Sequence, residues 1–446
     1  MLEFKTEDVD KRKPNSLFSR RLLRLYLTTS IFSFGYNFVT TAEYVNFRQI
    51  MIQIELTSST KISILLMCSL FALCLGTIIG GTISDSLRTR FGHRAPLILL
   101  GGLVGSLLFL LIPLVPLLGN NWNLKYAFLL LIFIPAHIFI GIAFAPWLAL
   151  VSDLFKKEER IGAGVAINIL SAIGAAIAVL IFSRLIESGL SWIIWIITGL
   201  IFGSSVIITV LLMPKNNPDY EPIGKTKDIL KIPAVIWKYG GKPWILLLLT
   251  STFWAFSSHL VETGIVDSLI ERFSISDTKA SLTSNILMGV YIVILLVPVI
   301  LMINRIGKIR ASILASIFYG IFCMLLSTMI QFQSIYYIVL IGGLGNIMLS
   351  TLQIALPADI APRGREASFM GVFFVFGSIV KPFATLIQGV VLEGSERNIS
   401  LSQFGGYPWV FLIAGISSFC SIFLLLLIMN KRKSDIKENI AVPTNM

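Results

Sequence analysis

Runs of about 20 apolar residues recur from one end of this chain to the other. At 1.5 Å per residue, each can cross a hydrocarbon core of about 30 Å as a helix. Reading the runs between charged or Pro/Gly/Asn punctuation gives twelve spans, at 22–47, 61–84, 95–118, 124–150, 161–185, 191–213, 243–264, 280–303, 311–331, 335–357, 368–392 and 408–430. Hydrophobic residues make up 55% of the 446 and charged residues only 13%, against about a quarter charged in soluble domains. An ordinary cytosolic enzyme is excluded, and the expected fold class is an all-α membrane protein.

Met1 to Arg24 is polar and carries Lys11, Arg12, Lys13, Arg20 and Arg21 ahead of the first apolar run, so no cleavable signal peptide is expected. Cys68, Cys74, Cys323 and Cys420 all fall inside apolar runs, without the spacing of a metal site or a disulfide framework. The net charge of +12 is spread over short loops and tails, which argues against a nucleic-acid partner.

That charge reports topology instead. An even number of spans puts both termini on one side. Only Arg48, Lys61, Lys125, Arg184, Arg272, Lys279 and Arg397 fall on the other side, and the remaining Lys and Arg, Lys381 excepted, lie on the side of the termini. The positive-inside rule makes both termini cytoplasmic. The polar stretch from Pro214 to Lys242 divides the spans six and six and reads as a linker. The expected domains are a tail at 1–21, a six-helix bundle at 22–213, the linker at 214–242, a second bundle at 243–430 and a tail at 431–446.

The halves echo one another. Glu43 and Glu262 stand at the same offset as Asp85 and Asn304, and Arg90-Phe-Gly-His-Arg94 is echoed by Arg305-Ile-Gly-Lys-Ile-Arg310. Ala149-Leu-Val-Ser-Asp153 is echoed by Ala355-Leu-Pro-Ala-Asp359, each leading to a basic run that ends at Arg160 or Arg365. Parallel halves with a site between them at the membrane midplane suit a rocking secondary transporter.

The loop between spans 2 and 3 reads Gly81-Thr-Ile-Ser-Asp85-Ser-Leu-Arg88-Thr-Arg90-Phe-Gly92-His-Arg94. It closely resembles the signature loop of the major facilitator superfamily. Its longer form, ending at Pro96, is similar to the branch of glycoside, pentoside and hexuronide symporters and sucrose carriers. The resemblance implies the major facilitator fold: twelve helices in two pseudo-symmetric six-helix bundles, with helices 3, 6, 9 and 12 in support. Spans 3, 6, 9 and 12 have no interior charge, His, Asn or Gln, which agrees with a central polar cavity lined by the other eight.

Asp85 sits where a helix end meets basic side chains, so it can pair with Arg90, Arg94 or a helix terminus of the other half in one conformation only. That makes the loop a candidate cytoplasmic latch, although Arg88, Arg90 and Arg94 would also serve topology alone. The segments Pro146 to Arg160 and Asp359 to Glu366 resemble the paired loops of sucrose carriers. Asp153, Arg160, Asp359 and Arg365 are the candidates there, with plain solvated loops as the alternative.

Ionisable groups inside spans are costly and therefore functional suspects. They are Glu43 on span 1, His137 on span 4, His259 and Glu262 on span 7, and Lys381 on span 11. Counting along each span places Asn37, His137, Asn346 and Lys381 about 16 to 20 Å deep, as a binding layer with His259 slightly nearer the outside. Glu43 and Glu262 count as farther out, where a gate role stands beside a coupling role. His137 alone would also suit a hydrogen-bonded packing position.

Lys381, in Ser378-Ile-Val-Lys381-Pro, resembles the helix-eleven lysine of the melibiose-type symporters, where the ammonium takes part in coupling. Snorkelling is the plainer alternative. The chain also departs from that branch. Span 2 has no acid for a coupling cation, the sugar-binding acid corresponds to about Phe144, and the helix-five arginine to about Asn168. Sodium coupling and melibiose-like recognition are thereby put in doubt.

The leading expectation is a proton-coupled importer of a sugar or related polar solute, working as a monomer in the plasma membrane without cofactor or metal. The alternatives are an exporter or antiporter of lipophilic compounds, suggested by 31 Phe residues, and a non-transporting sensor. No nucleophile and base set, phosphate loop or metal cluster marks an enzyme.

Overall fold

A computed structural model describes residues 20–44, 59–87, 89, 91–119, 121–214, 232–275, 279–280, 282–361, 365–396 and 406–441. In chain order the helices are α1 (Arg20–Tyr44), α2 (Ser59–Ser86), α3 (Ala95–Phe109), α4 (Trp122–Leu154), α5 (Arg160–Glu187) and α6 (Trp192–Leu212). The second set comprises α7 (Ile232–Phe273), α8 (Leu287–Ile306), α9 (Lys308–Thr328), α10 (Ile335–Ile360), α11 (Glu366–Ser378), α12 (Lys381–Glu396) and α13 (Tyr407–Ala441). Among the described residues, ten helical stretches are long and apolar enough to cross a membrane, and they coincide with ten of the expected spans.

The remaining two expected spans correspond to α1 and α8. Thr28, Thr29, Ser30, Ser33 and Thr41 make α1 less apolar, yet all five are buried. Three of these hydroxyls turn back on the helix or onto a neighbour: Thr28 Oγ1 donates to the Arg24 carbonyl at 2.8 Å, Thr29 Oγ1 to the Tyr26 carbonyl at 3.1 Å, and Ser33 Oγ to the Ile167 carbonyl of α5 at 3.1 Å. A helix can carry such residues on the face it packs against protein, where a hydroxyl can bond to backbone carbonyls rather than face hydrocarbon.

Three boundaries differ from the sequence expectation. Helix α7 starts at Ile232, inside the expected linker, and breaks at Gly241, where φ is 59°. The final helix continues to Ala441 because Lys and Glu after residue 430 are good helix formers in water. The expected span 368–392 is two helices, α11 and α12, with a turn at Ile379 and Val380 between them. Pro382 follows at the second position of α12, where its missing N–H costs nothing to the new helix but prevents the old one from running through.

Helix pairing is duplicated. In the first half α1 packs on α5 and α6, α2 on α4, and α3 on α4 and α6. In the second half α7 packs on α11 and α13, α8 on α10, and α9 on α10 and α13, the same pattern shifted by six spans. The contacts between halves obey the same exchange: α2 with α11 is matched by α8 with α5, and α4 with α11 by α10 with α5.

Two apolar cores follow. One is drawn almost wholly from Leu22 to Val206 and the other from Trp244 to Ile428, while Ile161, Ala358 and Met370 cross over. In the first, Phe32 stacks on Trp147 at 4.6 Å, and Trp147 Nε1 donates to the Thr29 carbonyl at 2.7 Å. In the second, Trp254 Nε1 donates to Ser316 Oγ at 2.9 Å and Ser421 Oγ at 3.0 Å, tying α7, α9 and α13. Large aromatic rings thus fill each bundle, and the N–H groups of Trp147 and Trp254 are satisfied there.

Candidate functional site

The signature loop lies at the end of the bundle where α1 begins, called the proximal end below. Gly81 of α2 faces the other half so closely that a Cβ there would stand 2.7 Å from the Ala367 carbonyl oxygen. Gly92 turns the loop with φ at +88°, a conformation that favours glycine. Backbone contact and turn therefore account for both glycines.

Arg94 follows that turn and is 2% exposed. Its Nη1 donates to Asp85 Oδ1 at 2.5 Å and Ser84 Oγ at 3.0 Å, and its Nε to Asp153 Oδ2 at 2.9 Å. Its Nη2 reaches Glu366 Oε2 of the other half at 3.4 Å. One guanidinium therefore collects three carboxylates from α2, α4 and α11, and His93 Nε2 adds a contact to Asp153 at 3.4 Å.

Asp85 also acts at a helix start that is not its own. It accepts from Ala367 N at 3.2 Å, Ser368 N at 2.8 Å and Ser368 Oγ at 2.6 Å. The two backbone N–H groups are orphan donors of the first turn of α11, so a carboxylate of one half caps a helix of the other and meets the positive end of its dipole.

A second cluster joins the halves at the same end. Arg160 Nη1 donates to Asp359 Oδ1 at 2.9 Å and to the Ala358 carbonyl at 2.6 Å, crossing from α5 to α10. Lys308 Nζ donates to Asp359 Oδ2 at 2.6 Å and to the Lys157 carbonyl at 3.1 Å. Arg365 stands just before α11, its carbonyl accepting from Phe369 N. Arg88 and Arg90 lie outside the described residues. Glu366, Ser368, Ser84 and Lys308 are participants that the sequence reading did not select. Lys308 had a signal, since it falls inside the echo of the signature loop.

The intramembrane candidates divide into three groups. Glu43 Oε1 of α1 and His137 Nε2 of α4 stand 2.8 Å apart, both buried. His137 Nδ1 is 2.8 Å from the Phe133 carbonyl, and the ring stacks on Phe133 with Phe109 at its edge. The two groups therefore share one depth. Counting residues had separated them, because α4 is 33 residues long against 25 for α1, so the helix ends are no common ruler.

The second group joins α7 and α12. His259 Nε2 is hydrogen-bonded to Thr385 Oγ1 at 3.0 Å, and one turn on, Thr263 Oγ1 donates to Gln388 Oε1 at 2.6 Å. Lys381, half-buried, begins α12 one turn before Thr385, whose hydroxyl donates back to the Lys381 carbonyl at 3.1 Å. Thr385 and Gln388 lie one and two turns along from it on the same face, opposite the exposed stripe of Phe383, Leu386 and Val390. Glu262, by contrast, is exposed and joins neither group.

The third group is neutral. Asn168 Nδ2 donates to Thr351 Oγ1 at 3.2 Å, bridging α5 and α10 between the halves. Asn37 Nδ2 donates to the Ser33 carbonyl at 2.8 Å, and the Asn346 backbone carbonyl accepts from Ser350 Oγ at 2.8 Å. Phe144 of α4 meets Phe374 of α11 at 4.2 Å, at the position that the resemblance aligns with a sugar-binding acid.

Comparison with known proteins agrees with this geometry. The sequence matches the Major Facilitator Superfamily over residues 22–385. No curated protein matches the sequence. Among solved structures, the human organic anion transporter MFSD10 (TETRAN) is similar with a TM-score of 0.64 at 13% identity, covering 91% of this chain and 99% of that one. A bacterial homologue of the iron transporter ferroportin in its outward-facing state has a TM-score of 0.68 at 14% identity, covering 92% and 100%. The same homologue with soaked iron gives 0.67 at 13% identity, covering 91% and 98%. With the family matched over most of its length and the duplicated helix pairing in place, the chain belongs to the Major Facilitator Superfamily and is a membrane transporter, not an enzyme.

Proposed function

We propose that the protein is a proton-coupled secondary transporter of a small polar solute, a sugar or glycoside, working by alternating access in the branch of glycoside, pentoside and hexuronide symporters and sucrose carriers. In this reading all twelve spans cross the plasma membrane, the proximal end is cytoplasmic, and one chain suffices. The Arg94 and Asp359 clusters are latches that hold the cytoplasmic side closed, and solute release to the cytoplasm requires both to open.

The observation that carries proton coupling is the contact between Glu43 and His137. A carbonyl oxygen can only accept, so the bond to Phe133 places a hydrogen on Nδ1. Nε2 then faces a carboxyl oxygen at 2.8 Å, and that approach needs a second hydrogen on one atom or the other. The closed pair therefore holds one proton, as imidazolium with carboxylate or as imidazole with carboxylic acid. Removing it sets two lone pairs against each other at a buried site, so deprotonation forces the pair apart. A proton whose departure moves α1 against α4 can drive a solute site beside them.

The solute then meets Asn37, Asn168 and Asn346 from below and Lys381 with His259 from the α7 and α12 side. A second reading is favoured by Lys381: a cation at this depth suits a solute bearing a carboxylate, such as a hexuronide, for which it serves as counter-ion. MFSD10 is named as an organic anion transporter.

Purified protein in vesicles, tested with sucrose, melibiose and glucuronate under an imposed pH gradient, separates these readings. Accumulation of a neutral sugar that Glu43→Gln abolishes while leaving sugar exchange intact is the expected result. Accumulation of glucuronate alone, lost in Lys381→Ala, selects the second reading. Accumulation unaffected by Glu43→Gln overturns the coupling role.

A further inference from the structure

Helix α8 carries an exposed stripe, Val290, Ile294, Val297 and Leu301, at spacings of three and four residues that keep it on one face. One turn further on the same face stands Arg305, also exposed. A groove of about 400 Å³ runs along this face, lined by Val297, Pro298, Leu301, Met302, Arg305 and Ile306. Arg305 makes no hydrogen bond or ion pair with another described residue. Lys308, one turn later, is already committed to Asp359 and to the Lys157 carbonyl.

The equivalent helix of the first half supplies a control within the molecule. Helix α2 has the same kind of stripe, Ile64, Met67, Phe71, Leu75 and Ile79, all exposed. Its continuation is Thr82 and Ser86, which are neutral. Both helices present an exposed apolar face, but on α8 that face ends in a guanidinium, in the last turn of the helix.

We propose that this groove binds one anionic phospholipid, with an acyl chain along Val297 and Leu301 and the phosphate on Arg305. The apolar stripe selects a lipid over a soluble anion, because an anion without a chain gains nothing from it. The guanidinium selects an anionic head group, because its planar fork donates two hydrogen bonds to phosphate oxygens and a zwitterionic head group brings its own competing cation. Bound there, the lipid holds the corner between α8 and α9 from which Lys308 reaches Asp359. The site does not depend on which solute is carried.

Native mass spectrometry of the full-length protein, titrated with phosphatidylglycerol or phosphatidylcholine of identical chains, tests this. The expected result is one preferentially retained phosphatidylglycerol per protein, weakened roughly fivefold by Arg305→Gln, the worth of one surface charge. Val297→Trp, which fills the groove and leaves the charge, should also release it. Arg310→Gln, an exposed arginine outside the groove, should leave retention unchanged. Equal retention of both lipids, loss in Arg310→Gln as large as in Arg305→Gln, or displacement by soluble glycerol phosphate would each overturn the assignment.

Discussion

The two clusters that tie the halves together at the proximal end are built with opposite charge arithmetic. Around Arg94, one cation serves Asp85, Asp153 and Glu366; around Asp359, one acid serves Arg160 and Lys308. They also differ in wetness. Arg94 and Asp85 are 2% and 7% exposed in their side chains, whereas Asp359 is 22% exposed. The sequence repeat explains the division of labour. Asp85 of the first half has Asn304 as its counterpart, so the second half cannot cap a helix with a carboxylate and uses Lys308 to reach across instead. Both duplicated loops join the halves, with the sign of the central charge exchanged.

The sharpest way to break this comparison is Arg94→Ala. It leaves three largely buried carboxylates without their shared cation, and a loss on the order of 3–5 kcal/mol is expected, the scale for removing one partner of a buried ion pair. Thermal unfolding in detergent should show it, and Asp359→Asn should not match it. If the two variants lose the same stability, the distinction between a dry and a wet cluster is wrong.

Gly81→Ala tests the first cluster without touching charge. The new methyl meets the Ala367 carbonyl, and overpacking of this kind costs about 1–3 kcal/mol. Because α2 and α11 belong to different halves, the cost falls on the closed arrangement alone. Spin labels on α2 and α11 should therefore show the proximal end opened, with thermal stability of the separate bundles retained. An unchanged distance would mean that the backbone contact does not govern closure.

Asp359→Asn should have the smallest effect, about 0.5–1 kcal/mol, as for a partly exposed ion pair. It alone should shrink further as salt is raised, since screening reaches solvated charge and spares buried charge. Salt-independent loss would place Asp359 in the same dry environment as Arg94.

Much of the proximal end was legible in the sequence, because glycines and charges punctuate an apolar chain and each has a local reason to be there. Gly92 sits in a left-handed turn, and Asp85 ends one helix beside the next. The intramembrane layer was legible only as an inventory. Glu43 and His137 were each suspect as buried ionisable groups, but their meeting depends on how far α4 overshoots α1, which no residue count contains. Glu262 looked equivalent to Glu43 through the repeat, yet it is exposed, since the repeat fixes helix position and not the rotation of each face. The turn at Ile379 and Val380 had a visible sign in Pro382, which the sequence reading noted as the neighbour of Lys381 without drawing the break.

That break has a consequence for how the molecule can move. Its proximal piece, α11, is fastened to the opposite bundle through Asp85, while its distal piece, α12, is fastened to its own bundle through His259 and Thr263. A single span thus answers to two bodies, and any rotation of one against the other is taken up at the joint between the pieces. Lys381 is the first residue past that joint, so a rotation there would redirect its ammonium, whereas Glu43 of α1 and His137 of α4 lie together within one half.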